Sequence, residues 1–124
     1  ILAVTALTSL DQGDIIDMGF DCDVQDLVVS RARRAFAAGC DGIVASGMEL
    51  EHIRGEADDK LLIVTPGIRP VENRPTDDQK RVVTVEQAFQ RGANYIVVGR
   101  PIQTAASPRE AAESIQESIQ STLN

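Results

Sequence analysis

Tyr95-Ile-Val-Val-Gly-Arg-Pro-Ile102 is an apolar, largely β-branched run that ends in a glycine, an arginine and a proline. Its first four residues favour a strand buried on both faces, as in a parallel sheet. Gly99 permits a sharp turn or a close approach of the backbone to a ligand, and Pro101 favours a helical turn. Because ligands bind at the carboxyl ends of parallel strands, Gly99 and Arg100 are predicted to bind an anion, most simply a phosphate.

The alternation of strand and helix recurs along the whole chain. Apolar runs at residues 1–7, 42–45, 61–65 and 95–98 predict strands, and amphipathic helical patterns follow each of them. Asp23 is a predicted N-cap, and the predicted capping boxes are Ser9 with Gln12, Ser46 with Glu49, Thr84 with Gln87, and Ser107 with Glu110 behind Pro108. The pattern predicts an α/β fold with a parallel sheet.

Two architectures fit this order, an open doubly wound sheet and half of an eight-stranded β/α barrel. A doubly wound dinucleotide site would carry G-x-G-x-x-G, and no strand is followed by that motif. Each predicted strand instead ends in polar or glycine residues, at Thr8-Ser9, Ser46, Thr65-Pro-Gly67 and Gly99-Arg100. Barrel enzymes place their functional residues at such strand ends, so residues 1–124 are predicted to form one half-barrel domain.

Composition excludes several classes of function. The net charge of −7, with Lys60 and Lys80 as the only lysines, argues against a nucleic-acid partner. No apolar run approaches the ~20 residues that cross a membrane. Cys22 and Cys40 form no C-x-x-C motif, which favours reduced thiols in a cytoplasmic protein, and His52 has no partner at metal-ligand spacing, so no metal is predicted. The chain begins without Met inside an apolar run, which predicts a fragment of a longer protein.

The connection after the third strand is the second candidate site. Residues 67–83 exceed the roughly 2–6 residues usual in an α/β connection, and long connections are often functional. It contains a predicted group of anion-binding side chains, namely Arg69, Arg74, Gln79, Lys80 and Arg81. Residues 101–106 have the length of a short extra helical turn whose N–H groups would point at the anion.

A purely structural interpretation also remains open for several of these residues. Ser9 serves as a helix cap, Arg69 lies on a stiff surface turn, and Arg100 pairs with a carboxylate. Thr8 is less easily explained as a cap. The predicted solvated face consists of Glu49, Glu51, His52, Glu56, Asp58 and Asp59.

Several motifs together resemble bacterial orotidine 5′-phosphate decarboxylases, and the resemblance covers essentially the whole chain. The motifs are Ala3-Val-Thr-Ala-Leu-Thr-Ser9, Gly39-Cys-Asp-Gly-Ile-Val44, Leu62-Ile-Val-Thr-Pro-Gly-Ile-Arg-Pro70, Asp78-Gln-Lys-Arg81 and Tyr95-Ile-Val-Val-Gly-Arg-Pro101. The resemblance implies strands five to eight of the barrel. It also implies conversion of orotidine 5′-monophosphate to UMP and CO₂ without metal or organic cofactor, by a cytoplasmic enzyme whose complete form is a homodimer.

The resemblance also implies site residues. Thr8, Arg69, Gln79, Gly99 and Arg100 would bind the nucleotide, the last three on or near its phosphate, and Ser9 could contact the pyrimidine.

No catalytic residue is predicted in this chain. The family's Asp-x-Lys-x-x-Asp motif is incomplete at both candidates, because Lys60 and Lys80 are followed three residues later by Ile63 and Val83. The chain alone is therefore predicted to be inactive. Its apolar outer strands are expected to associate with another half barrel.

Two other functions stay open. One is another phosphate-binding barrel enzyme, such as a sugar-phosphate epimerase or a keto-gulonate phosphate decarboxylase. The other is a stand-alone phosphate-binding module without chemistry.

Overall fold

The computed structural model describes residues 1–70 and 80–124. The strands are β1 (Leu2–Val4), β2 (Gly42–Val44), β3 (Leu62–Thr65) and β4 (Tyr95–Ile96), and the helices are α1 (Gln12–Asp17), α2 (Val24–Ala37), α3 (Leu50–Glu56), α4 (Val85–Gln90), α5 (Arg100–Gln103) and α6 (Pro108–Leu123).

The four strands form one parallel sheet in the order β1-β2-β3-β4. A doubly wound sheet reverses direction at a switch point, so its strand order does not follow the chain. Here each strand pairs with its successor and helices lie in every connection, which is the arrangement of a β/α barrel. The predicted fold, half of an eight-stranded β/α barrel, is confirmed.

The two faces of the sheet differ in burial. On the face that the helices cover, Ile43 and Ile63 are fully buried. They belong to one hydrophobic core with Ile53 of α3, which is also fully buried. Each such side chain contributes about 1.5–3 kcal/mol when it is removed from water. The opposite face, here called the open face, comprises Leu2, Val4, Leu62, Tyr95 and Val97, which are between 39% and 59% exposed. In a closed barrel these positions point into the packed interior.

One predicted capping box is confirmed in full. The Gln87 N–H donates to Thr84 Oγ1 at 3.2 Å, and the Thr84 N–H donates to Gln87 Oε1 at 3.0 Å. Asp23 is the N-cap of α2, and Ser107 is the N-cap of α6 with proline in the first turn, but neither side chain makes a capping hydrogen bond. The box predicted for Ser107 with Glu110 is therefore wrong, although the start of the helix is correct.

The two other predicted boxes are wrong. The chain still turns after β1, where the Leu10 N–H donates to the Leu7 carbonyl, so α1 starts two residues late with Asp11 and Asp14 forming its capping box. At α3 the N-cap is Glu49, whose carboxylate does not cap the helix. That carboxylate is instead recruited by a buried cation, described below.

Candidate functional site

The carboxyl ends of the parallel strands share one edge of the sheet, and the predicted site residues follow three of them. Thr8 and Ser9 follow β1, Arg69 follows β3, and Gly99 and Arg100 follow β4. Gln79 lies outside the described residues. The topology therefore gathers the predicted residues of the described chain at the edge where barrel enzymes place their chemistry.

The exit of β3 is held by backbone hydrogen bonds. Gly67 has φ +72°, a left-handed conformation that favours glycine. Val83 makes two backbone hydrogen bonds to this exit. Its carbonyl accepts from the Arg69 N–H at 2.9 Å, and its N–H donates to the Gly67 carbonyl at 3.2 Å. Arg69 is half-buried, and its Nη1 donates to the Ile68 carbonyl at 2.7 Å. The segment around Arg69 is therefore part of an extra parallel pairing rather than a detached surface turn.

The exit of β1 is fixed by the same returning segment. The Thr8 carbonyl accepts from the N–H groups of both Lys80 and Arg81 at 3.3 Å, and Thr8 is 6% exposed. Residues 80–83 thus connect the exit of β1 to the exit of β3. Ser9 lies half-buried in the turn before α1, where it does not serve as the helix cap.

The exit of β4 leads directly into a short helix, as predicted. Gly99 is the N-cap of α5, and its carbonyl accepts from the N–H groups of Ile102 and Gln103 at 3.0 Å. Its φ of −105° lies outside the left-handed region that favours glycine. A Cβ built there meets no atom of the described residues within 4 Å, which leaves open space above the backbone. Arg100 follows on an exposed position.

Lys80 is not a vacant anion-binding group. Its Nζ lies 2.8 Å from Asp14 Oδ2 and 3.2 Å from Asp11 Oδ2. The hydrogen bond from Lys80 lowers the pKa of Asp14, and the hydrogen bonds to Asp14 and Asp11 raise the pKa of Lys80. Lys80, predicted in the group of anion-binding side chains, is therefore already paired within the chain, because Asp11 and Asp14 at the start of α1 supply its counter-charge.

Arg81, also predicted as an anion-binding side chain, is buried and paired with a carboxylate of the chain itself. Its side chain is 5% exposed, and Nη1 lies 2.6 Å from Oε1 of Glu49, whose side chain is 4% exposed. Glu49 was predicted on the solvated acidic face and is instead buried, whereas Glu51, His52, Glu56, Asp58 and Asp59 are exposed as predicted. The pair joins residues 32 positions apart, so no local pattern indicates it. Arg74, another predicted anion-binding residue, lies outside the described residues.

Other classes of site find little support in residues 1–70 and 80–124. No group of three His, Cys, Asp or Glu side chains there could hold a metal ion. Cys22 and Cys40 are both free thiols. Within the same ranges, every helix is too short or too polar to cross a membrane.

Comparison with known proteins then decides the family. The model of the Orotidine 5′-phosphate decarboxylase / HUMPS family matches residues 1–115. The chain belongs to this family. The family expected from the motifs at residues 3–9, 62–70 and 95–101 is thereby confirmed.

Individual members of the Orotidine 5′-phosphate decarboxylase / HUMPS family match over nearly the whole chain. The orotidine 5′-phosphate decarboxylase of Methylococcus capsulatus is 71% identical over 119 residues, which cover 96% of this chain and 49% of the relative. The orotidine 5′-phosphate decarboxylase of Nitrobacter winogradskyi is 53% identical, over 93% of this chain and 48% of the relative. The crystal structure of orotidine 5′-phosphate decarboxylase from Lactobacillus acidophilus superposes with a TM-score of 0.77 at 34% identity, over 95% of this chain and 48% of that one. This chain spans about half the length of each.

Proposed function

We propose that this chain supplies the nucleotide-binding half of an orotidine 5′-phosphate decarboxylase, which converts orotidine 5′-monophosphate to UMP and CO₂. The observation that carries the proposal is the family match over residues 1–115, together with 71% identity to the Methylococcus capsulatus relative of that name. The gathering of Thr8, Arg69 and Arg100 at the carboxyl edge of the sheet supports it, because that edge is the active edge of β/α barrels.

Each proposed site residue has a chemical role. Arg100 and Gly99 bind the phosphate, Arg100 by charge-assisted hydrogen bonds and Gly99 by leaving room for close approach. Arg69 and Thr8 hold the nucleotide from the exits of β3 and β1. Ser9 contacts the pyrimidine. Gln79 stays a prediction of the sequence.

We propose no catalytic residue within the chain. Lys60 follows α3 and precedes β3, so the incomplete motif at residues 58–60 lies at the amino edge of the sheet, opposite the proposed site. Lys80 is engaged by Asp14 and Asp11. What this half provides is binding of the phosphate, and binding energy from a non-reacting group can be used to lower the barrier at the reacting centre.

A hybrid protein tests the proposal. This chain is joined to the half of the Methylococcus capsulatus relative that it does not match, and loss of orotidine 5′-monophosphate absorbance is followed. We expect the hybrid to decarboxylate and the chain alone to show no turnover. Arg100→Ala in the hybrid should raise KM strongly, whereas Arg109→Ala, an exposed arginine on α6, should leave KM unchanged. A folded but inactive hybrid, or turnover by the chain alone at the rate of the hybrid, would contradict the proposal.

Titration of the chain addresses the alternatives. We expect UMP to bind more tightly than inorganic phosphate. Equal affinities would favour a phosphate-binding module without chemistry, and turnover of a sugar phosphate by the hybrid would favour another barrel enzyme.

We also propose a cytoplasmic location and, for the complete enzyme, a homodimer. The exposed open face of this half is expected to associate with another half barrel, since it presents apolar side chains and two outer strands. Sedimentation of the chain and of the hybrid measures both association states, and a monomeric chain would count against pairing through the open face.

A further inference from the structure

Arg81 contacts the exits of β1 and β2 from its own place in the connection after β3. Its Nη2 donates to the carbonyls of Leu7 and Ala6, at 3.0 and 3.4 Å, just after β1. Its Nη1 donates to Glu49 after β2, and its own carbonyl accepts from Ser46 Oγ at 3.4 Å. One buried residue therefore links three consecutive strand exits.

The ion pair between Arg81 and Glu49 lacks the hydrogen bonds that would make it stabilising. Glu49 Oε2 and Arg81 Nε are buried and have no hydrogen-bond partner among the described residues, so a single contact joins the two charged groups. Removing two charges from water is costly, and the attraction between them compensates only when the remaining polar atoms are also satisfied. An apolar pair of similar volume would serve stability at least as well, so the ion pair calls for another explanation.

The backbone around Arg81 supplies that explanation. The Arg81 N–H donates to the Thr8 carbonyl, and two residues later Val83 pairs with the segment that carries Arg69. Fixing the guanidinium against Leu7 and Glu49 therefore fixes the spacing between Thr8 and Arg69. On the basis of the function proposed above, we infer that Arg81 is a positioning residue, which holds the β1 and β3 sides of the nucleotide site in register without contacting the nucleotide.

A double variant separates positioning from stability. Arg81→Met alone leaves Glu49 buried without its counter-charge, and it should lower both the urea midpoint and the affinity for UMP. Arg81→Met combined with Glu49→Leu removes both buried charges, so the midpoint should recover most of what the single variant loses. The affinity for UMP should stay about tenfold weaker, because the hydrogen bonds to Leu7 and Ala6 are still missing. A double variant that binds UMP as tightly as the wild type would overturn the inference.

Two further variants keep the test decisive. Arg54→Met removes an arginine that bonds carbonyls at the opposite edge of the sheet, and it should lower the urea midpoint without weakening UMP binding. Arg81→Lys retains the charge opposite Glu49 and serves where the methionine variants do not fold. The Arg81→Lys variant should also bind UMP more weakly, because an ammonium cannot replace a planar guanidinium that bonds two sites. Wild-type affinity would again overturn the inference.

Hydrogen exchange tests positioning without a ligand. The amides of Lys80 and Arg81 should exchange faster in the double variant than in Arg54→Met, although neither variant leaves an unpaired buried charge. Failure of the wild-type chain to bind UMP would contradict the proposed function and leave this readout intact. Equal exchange of the Lys80 amide in the wild type and the double variant would overturn the positioning role itself.

Discussion

Arg54 and Arg81 both connect neighbouring units of this sheet, Arg54 at the amino edge and Arg81 at the carboxyl edge, and they use different partners. At the amino edge, Arg54 of α3 donates to the Gly92 carbonyl at 2.8 and 3.0 Å, to the Leu61 carbonyl at 2.8 Å and to Asn94 Oδ1 at 2.5 Å. All of these acceptors are neutral. At the carboxyl edge, Arg81 bonds carbonyls as well, but it also faces the buried carboxylate of Glu49.

Because their partners differ, Arg54 and Arg81 have different effects on stability. Arg54 is half-buried, and burial lowers the pKa of its guanidinium, but no second charge has to leave water. Arg81 requires that Glu49 be buried with it, which costs stability in exchange for a fixed direction. Barrel enzymes show the same division, with stability at the amino edge and activity at the carboxyl edge.

The largest expected effect compares the two arginines directly. Arg81→Met should lower the free energy of unfolding by about 3–5 kcal/mol, because Glu49 stays buried without its counter-charge. Arg54→Met should cost about 1–3 kcal/mol, because the Gly92 and Leu61 carbonyls lose their donor but no charge is left buried. Urea unfolding of both variants measures the two values. A larger loss for Arg54→Met would remove the distinction between the edges.

The sequence predicts what is local in this comparison and misses what is not. The positions of the four strands follow from apolar runs, and the Thr84 box follows from a spacing of three residues, so both are predicted correctly. The Ser46 box had the same spacing and failed, because Glu49 had a stronger partner 32 positions away in Arg81. The proposed site residues could be assigned to strand exits for the same local reason, but the link from Thr8 to Arg69 depends on tertiary pairing.

Two glycines extend the comparison to the backbone. A Cβ at Gly42, at the start of β2, would lie 2.5 Å from the Leu62 carbonyl oxygen, and one at Gly47, after β2, would overlap the Val83 side chain. Either alanine variant should cost about 1–3 kcal/mol. Only Gly47→Ala should also weaken UMP binding, because Val83 carries the hydrogen bonds to the Arg69 segment.

Gly55→Ala is the matched control for these two variants. Gly55 lies in α3, and its Cβ would meet no atom of the described residues within 4 Å, so alanine should stabilise by about 0.5–1 kcal/mol. Urea unfolding and UMP titration are measured for all three variants. Weaker UMP binding by Gly42→Ala would show that the amino edge also shapes the site.

Two helix starts give a smaller effect. Thr84→Ala should cost about 1 kcal/mol, because Thr84 Oγ1 caps α4 directly after the Val83 segment. Ser107→Ala at the start of α6 should change the free energy of unfolding by less than about 0.5 kcal/mol, since this side chain makes no capping hydrogen bond. Thermal or urea unfolding of the pair measures the difference. Equal losses would mean that the hydrogen bond to Thr84 Oγ1 does not contribute to the free energy of unfolding.

The smallest effect concerns Lys80, which pairs with Asp14 at the carboxyl edge. The folded pKa of Asp14 lies below its ordinary value of 3.8, so the pair's contribution is present above 3.8 and is lost as the pH falls through the lowered pKa. The folded pKa of Lys80 lies above 10.5, so the contribution is complete below 10.5 and is lost as the pH rises through the raised pKa. The stability difference between wild type and Lys80→Met should therefore be constant around neutrality and shrink in acid below 3.8.

Two controls belong to this pH experiment. Lys60→Met changes an exposed lysine at the amino edge, and its small effect should not shrink in acid in the same way. The cost of Arg54→Met should depend only weakly on pH, because the hydrogen-bond acceptors of Arg54 do not titrate and Asp59 acts on it only through its charge. Urea unfolding at neutral pH and below 3.8 gives all three differences. If the Lys80→Met difference does not depend on pH, the ion pair contributes nothing, and the backbone bond to Thr8 alone positions Lys80.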